Sequence, residues 1–388
     1  MTAPTLERPI VSDDMLTRFR ERAAGYDKNN TFFHEDFEDL RSAGYLKYCI
    51  PTEFGGAGAN LADYTALIRK LAYHAPATAL ATNMHQYWMG VATDMRRMGD
   101  NSLEWVLREG AAGEVFAAGH GEAGAELPLF LSTTRAEKVD GGYRFTGHKI
   151  FGSLSPVWTR LGIHGMTEDG QIVHAFMPRD TAGYTIKETW DTLGMRATRS
   201  DDTILDGAFV PDRYIARILP AGGADLFVLS VFAWAEPTFA NVYIGIAERA
   251  RDLAIAGTKK RTSLALSRSM AYHPEMQHAA AEMQLILEAV GPQVDRVASD
   301  WANGADHGAE WPMKLVAAKH NAVEGAKRVV DIAMGMSGGV GMFKSNELER
   351  LYRDVRCGGF HPANSGLVHE IVGKTLFGID LGEQPRWG

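Results

Sequence analysis

The sequence predicts an α+β protein in three parts: a helical N-terminal domain, a middle domain of the β-barrel type and a C-terminal four-helix bundle. Two observations predict this order. Apolar residues recur at helical spacing in the first and last parts of the chain, and the part between them consists of short segments rich in Val, Ile, Thr and aromatic residues. The predicted domains span 1–113, 114–217 and 218–388.

The N-terminal part carries apolar residues at i, i+3 and i+4 in four segments. They read MLTRFRERAAGYD, FHEDFEDLRSAG, ADYTALIRKLAYHAP and NSLEWVLREGA. This spacing places the apolar side chains on one face of a helix, so each segment is predicted to be an amphipathic helix that packs on a common core.

The helical periodicity of apolar residues stops after residue 113 and returns after residue 217. Segments such as GGYRFTGHKIFG, GQIVHAFMP and DDTILDGAFVP are bounded by Gly, Asp and Pro and predict strands, and about 100 residues suffice for a small barrel. Long helical periods then return, for example in MQHAAAEMQLILEAVGPQVDRVASDWANG. This last part has room for about four long antiparallel helices.

Composition narrows the classes of function. With 45% apolar residues the chain can bury a large core, and a net charge of −8 argues against a nucleic-acid partner because phosphate binding needs a basic surface. Cys49 and Cys357 are far apart and form no CxxC motif, so neither a disulfide framework nor a metal site is predicted. Without an evident signal peptide or an apolar run of about 18 residues, a soluble cytoplasmic protein with no membrane span is expected.

Three motifs resemble landmarks of the acyl-CoA dehydrogenase superfamily. They are PTEFGGAG at 51–58, DTLGMRATRSDDTILDGAFVP at 191–211 and GGVGMFKSNELERLYRDVR at 338–356. They occur in the order and at the distances found in that superfamily, over nearly the whole chain. The resemblance implies the acyl-CoA dehydrogenase fold, an FAD or FMN cofactor held where the barrel meets the bundle, and a homotetramer.

The resemblance also implies residues that contact the flavin. The family's Lys-x-aromatic-x-Thr segment corresponds to residues 149–153, so Phe151 is expected against the isoalloxazine and the hydroxyl of Ser153 near its N5. An ordinary strand with an inward Phe is the alternative. The family's phosphate-binding loop corresponds to residues 121–128, which keep Glu122 and Gly124 but carry Glu126 and Leu127 where Gly and Ser are usual. An extra carboxylate would repel a pyrophosphate, so either the loop follows another path or flavin binding is weaker and exchangeable. Solvated carboxylates are the alternative for Glu122 and Glu126.

Other predicted cofactor contacts lie in the last third of the chain. The SGGVG turn places Gly338 and Gly339 where the backbone of one subunit approaches the cofactor of another, although a helix C-cap needs glycine as well. Arg261 and Arg268, in KKRTSLALSRSM, are both candidates to pair with the pyrophosphate, and solvated surface charges are the alternative.

The usual catalytic base of an acyl-CoA dehydrogenase is missing. Counting nine residues on from Arg353 reaches Pro362, which has no titratable group. Some family members place the glutamate on the first helix of the bundle instead, where Glu236 is the nearest candidate. A solvated carboxylate at a helix start is the alternative for Glu236.

The segment RDVRCGGFHP resembles the reduced-flavin monooxygenases of the superfamily, such as dibenzothiophene monooxygenase. There, a His at the position of His361 and a Ser at the position of Ser153 steer a C4a-hydroperoxyflavin. His369 is a candidate for the substrate pocket and the surroundings of His361, and capping or packing is the alternative for both histidines. Side chains of one N-terminal helix are candidates for the pocket as well, with an ordinary helical core as the alternative: His85, Tyr87 and Trp88.

Three functions therefore stand. The leading one is a two-component flavin monooxygenase that acts on a hydrophobic or aromatic small molecule, with a separate flavin reductase as an expected partner. The second is an acyl-CoA dehydrogenase with a non-standard base, which desaturates an acyl-CoA thioester and passes hydride to FAD. The third is a non-catalytic flavoprotein.

Overall fold

The N-terminal domain is helical, as predicted, in the computed structural model, which describes residues 10–124 and 129–383. Helix α3 (Leu61–His74) has Asn60 as its N-cap, in a capping box with Asp63 in which each side chain accepts a hydrogen bond from the other residue's backbone N–H. Helix α4 is buried along most of its length and forms one wall of the candidate site. The helices of this domain are α1 (Asp13–Asn29), α2 (His34–Ser42), α3 (Leu61–His74), α4 (Pro76–Arg97) and α5 (Glu104–Ala112).

The middle domain is one eight-stranded sheet. Its order is β6-β7-β3-β2-β4-β5-β8, and β1 pairs with β4. Among the described residues no pairing joins the two end strands, β6 and β8. The strands are β1 (Phe116–Ala118), β2 (Arg135–Val139), β3 (Gly142–Gly152), β4 (Arg160–Met166), β5 (Gln171–Pro178), β6 (Tyr184–Lys187), β7 (Asp201–Pro211) and β8 (Ile215–Pro220).

The C-terminal domain contains three long helices and two short ones rather than four long helices. Gly338, with φ of +65°, ends α8, and a second turn containing Gly358 and Gly359 separates α9 from α10. Glycine at a positive φ costs little, which explains the first turn, and a Cβ on Gly358 would lie 2.8 Å from Cγ1 of Val323, so the second turn needs glycine for space. The helices are α6 (Leu226–Lys260), α7 (Pro274–Ala302), α8 (Trp311–Ser337), α9 (Glu347–Arg356) and α10 (Ser365–Phe377).

Helix α9 joins the three domains through the Arg-Asp pair of its RDVR segment. The guanidinium of Arg353 donates to both carboxylate oxygens of Asp27 in α1, at 3.0 and 2.6 Å. Asp354 accepts the backbone N–H of Met195 in the middle domain at 2.6 Å. Gly194 makes this approach possible, because a Cβ there would lie 2.5 Å from the carbonyl oxygen of Arg353.

Helix α6 is long and apolar enough to cross a membrane by length and composition alone. In the folded protein, however, 89% of its most apolar window is buried against other parts of the chain. A helix that is apolar all round and covered in this way is typical of the centre of a large folded domain.

Candidate active site

A cavity of about 580 Å³ lies where the three domains meet. Its walls are mostly apolar, with a few polar groups that converge on the interior, which is the usual composition of a small-molecule site. Prominent side chains on its walls are Met84 and Tyr87 from the N-terminal domain, His120, Phe151, Ser153 and Trp190 from the middle domain, Glu236 and Phe239 from α6, and Phe360 and His361 from the loop after α9.

A β-bulge turns Phe151 into this cavity. The register of the β3–β7 pair shifts between Lys149 and Gly152, and Phe151 has a φ of +60°. Bulges commonly re-aim a side chain near a site. The ring of Phe151 is 54% exposed and meets Trp190 edge-on at 5.9 Å, so a flat aromatic surface is open to a ligand, where the sequence placed it.

Ser153 opens a short chain of hydroxyl groups on the same wall. Its Oγ lies 2.7 Å from Oγ of Ser200, which lies 2.7 Å from Oγ1 of Thr198. All three residues line the cavity. The sequence prediction singled out Ser153 and missed the other two, although both belong to the RATRSDD stretch of the second motif.

His361 faces the cavity from the bundle side. Its Nε2 lies 2.7 Å from the hydroxyl of Tyr243, and its ring stacks on Phe239 at 4.6 Å and 10°. Burial, and secondarily the charge of Lys319, lowers the pKa of His361 to about 3, so the imidazole is neutral at working pH. The aromatic partners lie more than 100 residues away in the sequence, and no local motif pointed to them.

The loop that carries His361 is fixed between α6 and α8. Lys319 is 2% exposed, and its Nζ donates to the carbonyl oxygens of His361 and Ala363 at 3.0 and 2.9 Å. Glu236 accepts the N–H of Ala363 at 2.9 Å through Oε1. The ammonium and the carboxylate therefore pin the same three-residue loop from two sides.

Glu236 lies on the cavity wall, and its role as a base stays a prediction. It is 1% exposed, one oxygen is bonded to Ala363, and the other is buried without a hydrogen-bond partner among the described residues. Burial raises the pKa of Glu236, although the nearby charge of Lys319 opposes the shift. Its clear role in this structure is to position the His361 loop.

Glu122 lines the cavity, and its side chain holds the middle domain together, so its predicted contact with the cofactor stays a prediction. Its carboxylate accepts hydrogen bonds from the buried Lys149 ammonium and from Ser132, Thr133 and Thr134. Burial opposes ionisation, but Lys149 and these bonds outweigh it and hold the pKa of Glu122 below its usual value. Both carboxylate oxygens are thus engaged inside the middle domain.

Of the remaining residues singled out in the predicted phosphate loop, Gly124 is the one that the structure describes. Gly124 is exposed and adopts a φ of +79°. Glu126 and Leu127, where the sequence departs from the family pattern, lie outside the described residues. Weaker or exchangeable flavin binding by this loop stays a prediction.

Of the four predicted pocket residues, Tyr87 lines the cavity. His85 is fully buried behind it, with one ring nitrogen 2.7 Å from the carbonyl oxygen of Leu46 and the other accepting the N–H of Phe116. Trp88 donates its indole N–H to Ala117 at 3.2 Å. Both are core residues of α4, because neighbouring helix positions point in different directions.

His369 lies on the surface of α10 and is absent from the cavity wall. Its Nδ1 is 2.7 Å from the carbonyl oxygen of Ser365, one turn earlier, and its ring meets His320 edge-on at 5.5 Å. The prediction that it surrounds His361 is wrong, since α10 starts after the loop and turns this residue outward.

The structure brings three of the four predicted dinucleotide contacts together. Arg261 donates to the carbonyl oxygens of Met336 and Ser337 at the end of α8, and a Cβ on Gly338 would lie 3.7 Å from its guanidinium. Gly339 is exposed beside them. Arg268 lies apart, over the ring of Tyr272 at 4.7 Å. Arg261 thus caps a helix in this chain, and any pairing with phosphate stays a prediction.

The residues present fit a flavin. Phe151 and Trp190 offer an apolar surface for a planar ring system, and the hydroxyls of Ser153 and Ser200 lie beside it. At Gly121 the backbone leaves no room for a side chain, because a Cβ would lie 2.7 Å from the carbonyl oxygen of Ile150. The fold and this cavity together define a flavin-dependent oxidoreductase.

Comparison with known proteins shows the family. The model of the acyl-CoA dehydrogenase N-terminal domain matches residues 11–102, and the model of the acyl-CoA dehydrogenase C-terminal domain matches residues 237–365. The chain belongs to the acyl-CoA dehydrogenase family, which confirms the resemblance drawn from the three motifs.

Its relatives include a putative acyl-CoA dehydrogenase, a nitrososynthase and a monooxygenase. The chain is 30% identical to the amino sugar nitrososynthase DnmZ of Streptomyces peucetius, over 84% of this chain and 82% of that protein. It is 28% identical to the putative acyl-CoA dehydrogenase YdbM of Bacillus subtilis, over 92% and 93%. Dibenzothiophene monooxygenase of Rhodococcus erythropolis is 26% identical, over 95% and 93%.

A solved structure shows the same fold with a flavin. KijD3 in complex with FMN and a dTDP-linked amino-keto sugar superposes with a TM-score of 0.85 at 25% identity, covering 98% of this chain and 97% of that one. The predicted choice of FAD or FMN is consistent with this neighbour.

Proposed function

We propose that the protein is a two-component flavin monooxygenase that takes reduced flavin from a separate reductase and oxygenates a hydrophobic or aromatic small molecule. The observation that carries this proposal is His361. It is a fixed, neutral imidazole on the cavity wall, and Pro362 follows it at the position where dehydrogenases of the family carry their base. Similarity to DnmZ and to dibenzothiophene monooxygenase supports the same chemistry.

The residues of the chain have distinct tasks in this proposal. A reduced flavin supplies the electrons that activate O₂, so that one oxygen atom reaches the substrate and the other leaves as water. Phe151 and Trp190 hold the ring system and exclude water from it, and the hydroxyl of Ser153 orients its polar edge. The hydroxyl of Tyr243 holds Nε2 of His361, so Nδ1 of the same ring would be the atom that forms a hydrogen bond with the reacting oxygen.

The assembly and location belong to the proposal as well. Exposed apolar side chains follow the Gly338–Gly339 turn, namely Val340 at 65%, Met342 at 71% and Phe343 at 65% exposure. Adjacent apolar residues of this kind are typical of surfaces that another chain covers. They support a homotetramer in which this turn approaches a neighbouring subunit, and we place the protein in the cytoplasm.

Rapid mixing tests the proposal. Protein carrying anaerobically photoreduced FMN is mixed with oxygenated buffer, and H₂O₂ release is compared with that from free reduced FMN. We expect the wild-type protein to delay H₂O₂ release and His361→Ala to release it at once. His278→Ala, which changes an exposed histidine on α7, is the matched control. If His361→Ala delays release as long as the wild type, His361 has no part in the mechanism.

An acyl-CoA dehydrogenase is the second candidate, and the specific observation in its favour is the carboxylate of Glu236 on the cavity wall. Similarity to YdbM points the same way. Anaerobic addition of acyl-CoA thioesters to the flavin-loaded protein separates the two candidates. If the thioester bleaches the flavin of the wild type but not that of Glu236→Gln, the dehydrogenase is established and the monooxygenase is overturned.

A further inference from the structure

His120 is a second histidine on the cavity wall, and neither the motifs nor the proposed mechanism uses it. It follows β1, and the next residue, Gly121, forms a bridge with Ile150, so His120 lies beside the segment that carries Phe151 and Ser153. Among the described residues no hydrogen bond to its ring nitrogens is found, whereas His85, His164 and His361 are all bonded. Its polar edge is therefore available to a ligand.

Behind His120 lies a polar cluster inside an otherwise apolar domain. The rings of His164 on β4 and His174 on β5 are 5.2 and 6.2 Å away from it. Lys149 lies beyond, with Nζ 3.1 Å from Nδ1 of His164, and is paired with Glu122. Because that pair is neutral overall, the cluster holds hydrogen-bonding groups without a net charge.

This setting makes the proton on His120 sensitive to what occupies the cavity. Burial, followed by His174 and Lys149, holds the pKa of His120 well below its usual range, so its imidazole is neutral when no anion is near. An anion placed within a few ångströms in such a low-dielectric site would reverse that balance. The isoalloxazine ring of reduced flavin readily loses the proton at N1 and becomes an anion, whereas the ring of oxidised flavin is neutral; the phosphate of FMN carries the same charge in both forms.

We propose that His120 selects the reduced flavin: its imidazole takes up one proton when the anionic reduced flavin binds, and the resulting ion pair favours that form over the neutral oxidised one. The proton comes from solvent, and no electron moves in this step. The inference rests on the proposed use of reduced flavin from a separate reductase. It adds a reason why the chain binds that form and lets the oxidised flavin leave.

Anaerobic calorimetric titration of the whole protein with photoreduced FMN and with oxidised FMN tests the inference. Titrations in buffers of different ionisation enthalpy count the protons exchanged. We expect the wild type to take up about one proton with reduced FMN and none with oxidised FMN. Its affinity for reduced FMN should fall as the pH rises from about 7 to about 9, while its affinity for oxidised FMN stays constant.

His120→Gln keeps a hydrogen-bonding side chain of similar length but cannot carry the proton. We expect this variant to lose the proton uptake and to lower the preference for reduced over oxidised FMN by about tenfold or more. The exposed His278→Gln is the matched control and should change neither quantity.

Two results would overturn the inference alone: a wild type that binds reduced FMN without proton uptake, or a His120→Gln variant that keeps both the uptake and the preference. The first needs no variant, so poor folding of His120→Gln leaves the inference falsifiable. A wild type that binds oxidised flavin as tightly as reduced flavin would instead contradict the proposed function, and the inference with it.

Discussion

Replacing Lys319 by Met should loosen the loop that carries His361. Lys319 is buried, and its ammonium donates to two carbonyl oxygens of that loop at 3.0 and 2.9 Å. Charge-assisted hydrogen bonds contribute about 1.5–3 kcal/mol each, so the two together contribute about 3–6 kcal/mol. The substitution also removes the desolvation cost of burying the ammonium, which offsets part of the lost hydrogen-bond energy. We therefore expect a net loss of about 3–4 kcal/mol in the free energy of unfolding.

Glu236→Gln should cost far less, about 1 kcal/mol, because its amide oxygen can still accept the N–H of Ala363. The double variant should be more stable than the sum of the two single changes by about 1 kcal/mol, since Glu236 is then no longer left buried without its positive neighbour. Urea unfolding of the flavin-free proteins measures all three values.

Lys327→Met, on the same helix, is the matched control, because Lys327 pairs with Glu324 near the surface and should change stability by less than about 1 kcal/mol. A second readout is the fraction of reduced flavin whose oxidation yields product, which should fall in Lys319→Met. If Lys319→Met is as stable as Lys327→Met, or if the double variant is strictly additive, the loop is not held as described.

Three other predictions follow from individual contacts. The pKa of His361 falls from its ordinary 6.5 to about 3 on folding, so the folded protein binds fewer protons than the unfolded chain between these values and loses stability as the pH falls below about 6.5. In urea unfolding, the wild type should lose about 2 kcal/mol more than His361→Gln between about pH 7 and pH 5. Equal losses would contradict this prediction. Gly194→Ala should destabilise the protein by about 2 kcal/mol in the same assay, because its Cβ would lie 2.5 Å from the carbonyl oxygen of Arg353, whereas Gly257→Ala, in open helix, should be neutral or stabilising. Phe151→Ala should weaken FMN binding by about tenfold with little effect on folding, since its ring is largely exposed to the cavity; unchanged affinity in a fluorescence titration would remove Phe151 from the flavin site.

The sequence predicted the parts of the site that depend on local spacing. Phe151 is the second-last residue of β3, Ser153 follows that strand directly, and His361 follows a Gly-Gly turn after α9, so matching motifs in order was enough to place all three on the cavity. The same method failed for His85. A histidine suits a site, but burial against the carbonyl oxygen of Leu46 keeps this one off the cavity wall.

Residues that act on the site through long-range contacts could not be predicted. Lys319 and Tyr243 lie 42 and 118 residues from His361 in the sequence, and either side chain would look ordinary on an apolar helix face. The surroundings of His120 were likewise not predictable, because β4 and β5 bring His164 and His174 beside it from other parts of the chain.

The sequence by itself determined the three-part order, the family and the absence of the usual base, because helical and strand periodicity and motif spacing are properties of neighbouring residues. Only the tertiary structure decided which polar groups remain open to a ligand. Whether a buried carboxylate, ammonium or imidazole faces a cavity or is satisfied by a partner depends on elements distant in the chain, and a buried polar group binds whichever partner the fold brings to it.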